Sequence, residues 1–317
     1  MDIDHNTPNH YRSIFPDDKK FPFSKERISR ILRNRSLLDG KLFFDIVLTT
    51  IAHVDDINQI YPPKNVAGLR LLVHTIEEKE ELDRLKKSSF VYYLLKDFDR
   101  AHPRNGFATQ YANKVLIPPN FCSLMDGLYA MDNFDFEDAV GHLTEPSVIP
   151  VEPHKVLSTL VSHAGPNGPR LATTFVQTVQ PVLDTDASIN DYFCALRAIS
   201  IESAFLYQRT VPSRIQPDLF KSLIDYCLTI KKESNALKLI NLPFTHEEQE
   251  IFESYIQDSS IPAAHDTLIT RQMHQGQLTE ALLAARSAHY QNEPELEGVN
   301  WAGLARGLSL GIGPREG

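Results

Sequence analysis

The residue types best suited to chemistry are His265 and Asp266, which are adjacent in the chain. A His-Asp dipeptide is a metal-binding element of all-α phosphohydrolases, so this pair could belong to a metal-dependent hydrolase. Such a site needs further ligands, and two imidazoles share a helix face at a spacing of i, i+4. His142, His154 and His163 never take that spacing, and with 12 histidines in the chain one such dipeptide arises easily by chance. Metal-dependent hydrolysis is therefore the last of our three interpretations.

Other enzyme signatures are incomplete or missing. Asp55-Asp56 lacks the third carboxylate of a magnesium-binding prenyl-synthase motif. The segment 163–169 is rich in glycine, but its two prolines remove N–H donors that a bound phosphate would need. The chain has no nucleophile elbow, P-loop or dinucleotide fingerprint. We therefore predict no catalytic residues, no cofactor, no metal and no small-molecule substrate.

The cysteines and the N-terminus indicate the compartment. Cys122, Cys194 and Cys227 lie far apart and form no CxxC pair, which favours reduced, buried thiols. Asp2 and Asp4 follow the first methionine without an apolar signal region. No stretch approaches the roughly 18 to 20 apolar residues of a membrane span. We therefore expect a protein of the cytosol or nucleus.

The overall charge argues against nucleic acid as a partner. The chain has 32 Lys and Arg against 41 Asp and Glu, a net charge of −9, whereas phosphate binding depends on basic residues. Basic residues do cluster near the N-terminus. The cluster consists of Lys19, Lys20, Lys25, Arg27, Arg30, Arg33, Arg35 and Lys41. Around a helix these point in several directions, which favours a solvated surface, with an acidic protein partner or an import signal as alternatives.

Apolar residues recur at helical spacing along most of the chain. The pattern predicts helices within 42–54, 69–76, 121–128, 136–143, 156–161, 219–228 and 278–285. Apolar residues surround much of 189–206, so a helix there would have to be covered on two sides. Thr245 with Glu248 forms a capping box, and Ser188 with Asp191 resembles one.

Segments of this kind cannot bury their apolar faces alone, which is typical of stacked helical arrays. No fixed period holds over three copies, so we predict an all-α fold, an irregular α-helical solenoid of stacked antiparallel helices. We expect an N-terminal arm at 1–23, one helical domain at 24–290 and a C-terminal tail at 291–317. The arm's large apolar residues favour packing onto the domain. In the tail, Trp301, Leu304 and Leu308 have helical spacing and could dock into a partner's groove, or form a final helix that caps the array.

An ordered series of short motifs between 61 and 150 is more specific than any of these patterns. The motifs are Tyr61-Pro62-Pro63, Val91-Tyr92-Tyr93-Leu94-Leu95-Lys96-Asp97, Phe107-Ala108, Ile117-Pro118-Pro119, Leu124-Met125-Asp126-Gly127-Leu128-Tyr129-Ala130-Met131-Asp132, Phe134-Asp135-Phe136-Glu137-Asp138-Ala139-Val140 and Leu143-Thr144-Glu145-Pro146. In this order the series resembles the helical domain of the ELYS family, the nuclear-pore assembly proteins. One departure is Tyr129, where many members have Trp. We predict Tyr92, Tyr93, Leu94 and Leu128 to be core residues.

The resemblance implies a structural role in the nucleus, at the pores of the nuclear envelope. The family helps to build the Y-shaped scaffold subcomplex, so the implied partners are other scaffold nucleoporins of that Y complex. The chain resembles the short fungal members, which lack the β-propeller of animal members. It also lacks the Arg-Gly-Arg-Pro hooks with which long members enter the DNA minor groove, so direct DNA binding is not expected. A generic helical-repeat adaptor of a vesicle coat or of degradation machinery is the main alternative.

Overall fold

A computed structural model of the chain describes residues 11, 14, 15, 20–54, 56–230, 232–259 and 261–289. Over these residues it contains seventeen α-helices, one 3₁₀ turn and no strand, which confirms the all-α prediction. The chain divides into two compact units, Met1–Val182 (unit 1) and Leu183–Gly317 (unit 2). The predicted boundaries at 23/24 and 290/291 stay predictions.

Unit 1 contains ten of the helices. They are α1 Lys25–Leu37, α2 Phe43–Thr50, α3 Ile57–Ile60, α4 Val66–Glu77, α5 Arg84–Ala101, α6 Phe107–Val115, α7 Pro119–Asn133, α8 Phe136–Leu143, α9 Pro153–His163 and α10 Gly168–Val179, with a 3₁₀ turn at Gly165–Asn167. Helices that follow each other in the chain pack together, as α5 does with α6, α7 with α8 and α9 with α10. This is the pairing that a stacked array requires.

Unit 2 contains the other seven helices. They are α11 Asp186–Ile199, α12 Ile201–Gln208, α13 Gln216–Thr229, α14 Lys232–Ile240, α15 His246–Gln257, α16 Pro262–His274 and α17 Leu278–His289. Here too α11 packs on α12, α13 on α14 and α16 on α17. The phenylalanine rings of this core lie close together, with centroids 5.0 Å apart for Phe220 and Phe244 and 5.3 Å for Phe244 and Phe252.

The single helix expected across 189–206 is wrong, because α11 ends and α12 begins on either side of Ser200. Ser200 has an extended backbone, and its hydroxyl accepts a hydrogen bond from the Ser203 amide at 3.0 Å, so it caps α12. Ile199 and Leu206 are 51% and 59% exposed, so this segment is not covered on all sides. The apolar residues that predicted one continuous helix therefore belong to two successive helices.

Of the two capping boxes, the one at Thr245 is confirmed. Its hydroxyl accepts from the Glu248 amide, and the Glu248 carboxylate accepts from the Thr245 amide. The other assignment is wrong, since the residue that caps α11 is Thr185, three positions before Ser188. Thr185 is followed by Asp186 in the first turn of α11, where an acidic side chain interacts favourably with the helix dipole.

The structure tests the prediction for the N-terminal arm at three of its apolar residues. The apolar residues Tyr11, Phe15 and Phe23 are buried, and the Phe15 ring lies 5.5 Å from that of Phe98, so for these residues the expected packing is confirmed. The tail lies outside the described residues.

The three cysteines differ in their burial. The thiol of Cys227 is buried, and burial raises its pKa to about 12, whereas Cys122 and Cys194 are half-buried. No described helix combines the length and apolar character needed to cross a membrane.

Candidate functional site

A buried network of charged and polar side chains joins α1 to α5 and α7. Arg27 of α1 forms an ion pair with Asp97 of α5, with Nη2 and Oδ1 2.6 Å apart, and its Nη1 donates to Asn133 at 2.6 Å. Burial disfavours the charged guanidinium, but attraction to Asp97 offsets this effect, and the pKa of Arg27 is raised. Tyr129 of α7 donates its hydroxyl to Asp97 at 2.9 Å. The aromatic residue at this position of the motif is therefore part of the network.

A second arginine of α1 fixes the start of α2. Arg35 binds both oxygens of Asp45 at 2.7 Å and donates to the carbonyl of Tyr61 at 3.0 Å. Asp45 also accepts from the amide of Leu42 at 2.8 Å. All of these groups are buried, and bidentate pairing of Arg35 with Asp45 constrains both the position and the orientation of the two side chains.

Asp132, at the end of the longest motif, completes the framework. Its carboxylate accepts hydrogen bonds from the amides of Phe43 and Phe44 at 2.6 and 3.0 Å and from the hydroxyl of Tyr93 at 2.7 Å. It thus caps α2 from α7, which is necessary because Leu42 has no side-chain acceptor. Burial raises the pKa of Asp132 to about 7, while hydrogen bonds from Tyr93, Phe44 and Phe43 act in the opposite direction.

Other motifs have equally structural roles. Asp99 of α5 accepts hydrogen bonds from the amides of Phe107 and Ala108 at 2.5 and 3.0 Å and so caps α6. In α7, a Cβ placed on Gly127 would lie 2.6 Å from Cγ of Leu143 in α8. The glycine therefore permits the close approach of these two helices.

The predicted core residues of the motifs are confirmed: Tyr92, Tyr93, Leu94 and Leu128 are all buried. In contrast, the solvated surface predicted for the basic cluster is wrong for Arg27 and Arg35, which are 7% and 6% exposed. Arg27 and Arg35 each lie four positions from the buried Ile31, on the side of α1 that also carries the buried Asn34. That spacing could have placed both arginines in the core, because buried carboxylates were available on α2 and α5 to pair with them.

In unit 2 the buried guanidinium of Arg271 has a structural role comparable to those of Arg27 and Arg35. Arg271 of α16 donates to the carbonyls of Ile240 and Leu242 at 2.5 and 3.0 Å, and its guanidinium carbon lies 3.6 Å from the centroid of the Phe244 ring. It therefore satisfies carbonyl groups at the C-terminal end of α14, where a cation is favourable. Burial lowers the pKa of Arg271 to about 10.

The residues considered for chemistry lie on separate elements. His265 and Asp266 occupy α16, where Asp266 is buried, and His142 lies in α8 while His154 and His163 lie in α9. Within the described ranges no three His, Cys, Asp or Glu side chains come together in a group that could hold a metal ion. The predicted partner-binding residues Trp301, Leu304 and Leu308 lie outside the described residues.

Comparison with known proteins agrees with the motif series. A family model described as ELYS, nuclear pore complex assembly, matches residues 41–259. The chain is also similar to ely5 of Schizosaccharomyces pombe, a protein described as uncharacterized. The two are 30% identical over 276 residues, which cover 86% of this chain and 88% of the yeast protein. The family match includes α2 to α15 and every motif that supplies the buried network.

Proposed function

This chain belongs to the ELYS family, and we propose that it is a structural scaffold nucleoporin of the Y-shaped nuclear pore subcomplex that acts by binding other proteins. Family membership indicates association with the nuclear pore complex. Its partners would be other scaffold nucleoporins of the Y complex, and its location would be the nuclear envelope.

The main support for the proposal is that polar residues of the motifs are buried inside the fold. In an enzyme, the polar residues of a sequence signature converge on a cleft that a substrate can reach. Here Asp97, Tyr93 and Asp132 are buried and bind other groups of the same fold. A signature that specifies a fixed helical framework suits a protein whose outer surfaces serve assembly.

The tail supplies one expected contact. Trp301, Leu304 and Leu308 follow each other at steps of three and four, the spacing of one helix face, and Trp is frequent among residues that dominate binding energy. We expect a chain truncated after residue 291 and the variant Trp301→Ala both to bind the Y complex more weakly. Trp301→Phe is the matched control, because it keeps an aromatic anchor. Unchanged affinity of the truncated chain would remove the tail as the anchor.

The function itself is tested in cells that express the full chain with a fluorescent affinity tag. We expect a signal at the nuclear rim and co-purification of Y-complex nucleoporins from nuclear envelopes, with crosslinks from this chain to them. Vesicle-coat or degradation subunits in the absence of nucleoporins would instead support the helical adaptor. A stoichiometric metal ion in the pure protein would support the hydrolase that uses His265 and Asp266.

A further inference from the structure

The outer face of α1 combines positive charge with exposed leucines. Lys25, Arg30 and Arg33 are exposed, and so are Leu32 and Leu37, at 46% and 44% of their surface. At 100° per residue these five side chains span an arc of about 160° on the side of the helix away from its buried stripe. We call these five residues the α1 outer face.

The opposite side of α1 holds this face in a fixed orientation. Ile31 is buried, and the ion pairs of Arg27 with Asp97 and of Arg35 with Asp45 attach the helix near both of its ends. A surface that is already ordered before binding loses little conformational entropy when a partner arrives. The α1 outer face is therefore pre-organised for docking.

The charges of the face have no partner within the described part of the chain. No described carboxylate forms an ion pair with Lys25, Arg30 or Arg33. The one acidic residue of the exposed arc is Glu26, and beyond the helix the exposed Asp39 and Lys41 add one charge of each sign. This positive face is unusual on a chain with a net charge of −9.

We propose that the α1 outer face docks an acidic amphipathic helix of another protein of the pore scaffold. This inference rests on the proposed function and assigns a surface and a partner chemistry to it. The leucines require apolar residues on the partner, and the three cations require carboxylates beside them. Ser29 and Ser36 lie in the same arc and are short, so a partner helix can approach α1 closely.

Phosphate-rich partners fit this face less well. A nucleic acid offers no apolar surface for Leu32 and Leu37, and the net charge of −9 repels a polyanion over the rest of the molecule. An acidic helix is a smaller anion that meets both requirements of the face. Protein is therefore the occupant that the observations favour.

The test measures binding of the full chain to the purified Y-shaped scaffold assembly. The variant Arg30→Glu/Arg33→Glu reverses two charges of the face, and Arg84→Glu/Arg104→Glu makes the same change in charge at exposed arginines near the two ends of α5. Like charges that face each other across an interface repel, so we expect the first variant to bind at least about tenfold more weakly and the control to bind like the wild type. Unchanged thermal unfolding of both variants shows that folding is intact.

A photo-crosslinker in place of Leu37 then identifies the occupant. We expect it to capture a scaffold segment with acidic and apolar residues at helical spacing. Replacing the acidic residues of that segment by Lys should restore binding of Arg30→Glu/Arg33→Glu, because each charge then meets its opposite again. Capture of a basic or uncharged segment would overturn the proposal.

The remaining outcomes of the binding test distinguish failure of the proposed function from failure of this inference. If the wild type does not bind the scaffold assembly, the proposed function and this inference both fail. If the wild type binds and Arg30→Glu/Arg33→Glu binds equally well, the docking surface alone is refuted. The inference also fails if the charge reversal abolishes only flotation with phosphatidylserine-containing vesicles, or only self-association in sedimentation, since the occupant would then be a membrane or a second copy.

Discussion

Replacement of Gly127 by alanine tests the close packing of α7 on α8. The added Cβ would lie 2.6 and 2.7 Å from Cγ and Cδ2 of Leu143, closer than carbon atoms pack, and Leu143 is fully buried. Overpacking of a core costs about 1–3 kcal/mol. Alanine in a helix is worth about 1 kcal/mol more than glycine, which partly offsets that cost. We therefore expect Gly127→Ala to lower the free energy of unfolding by about 0–2 kcal/mol.

Gly141 provides the matched control, because it is also helical and lies in the partner helix α8. A Cβ on Gly141 meets no atom within 4 Å, so Gly141→Ala gains the helix propensity without the clash. We expect it to stabilise the protein by about 0.5–1 kcal/mol. The difference between the two variants cancels the propensity term and leaves the packing term of about 1–3 kcal/mol.

Thermal and urea unfolding monitored by circular dichroism measure this difference. For a unit of this length, 1 kcal/mol shifts the melting temperature by about 2–4 °C, so the two variants should melt roughly 2–12 °C apart. If Gly127→Ala is as stable as Gly141→Ala, the contact between α7 and α8 is looser than described. The explanation of the glycine in the Leu124–Asp132 motif would then be wrong.

The remaining predictions concern the buried residues. Leu94→Ala and Leu128→Ala should each lower the free energy of unfolding in urea by about 2–5 kcal/mol, whereas lost partner binding at an unaltered melting temperature would identify an interface instead. The pKa of Asp132 is about 7 in the folded state against about 4 in an unfolded chain, so its protonation favours folding, and this stability is lost as the pH rises through 7. Between pH 5 and pH 8 the free energy of unfolding of the wild type, measured in urea, should therefore fall relative to that of Asp132→Asn. A rise over the same range would show that the carboxylate stays charged in the folded protein. Arg271→Met leaves carbonyl groups such as that of Ile240 unpaired and should cost about 1–3 kcal/mol by thermal unfolding.

Local patterns predicted seven of the seventeen described helices, because each apolar stripe is set by neighbouring residues. The capping box at Thr245 and Glu248 is a feature of four residues and was visible in the sequence. The interruption at Ser200 was missed, since a serine within an apolar stretch fits either a continuous helix or a cap. Which of the two occurs depends on how the flanking helices pack.

The buried network was hidden for a different reason. The contact of Arg27 with Asp97 joins residues 70 positions apart, and helical spacing carries no information about such distant partners. A basic residue on a helix is usually solvated, so Arg27 and Arg35 looked like their exposed neighbours. The motif series contains Asp97 and Asp132, but both arginines precede it, so the series did not indicate these pairs.

The cap that Asp132 provides for α2 also bears on how the chain is made. Its carboxylate lies 89 and 88 positions after the two amides that it binds, those of Phe43 and Phe44. Until this aspartate has been synthesised, water takes its place as the acceptor for the two amides, and α2 lacks the cap that Asp132 provides. Synthesis of the Leu124–Asp132 motif therefore completes the cap of α2, and a pause before it leaves the apolar residues of this helix exposed for longer.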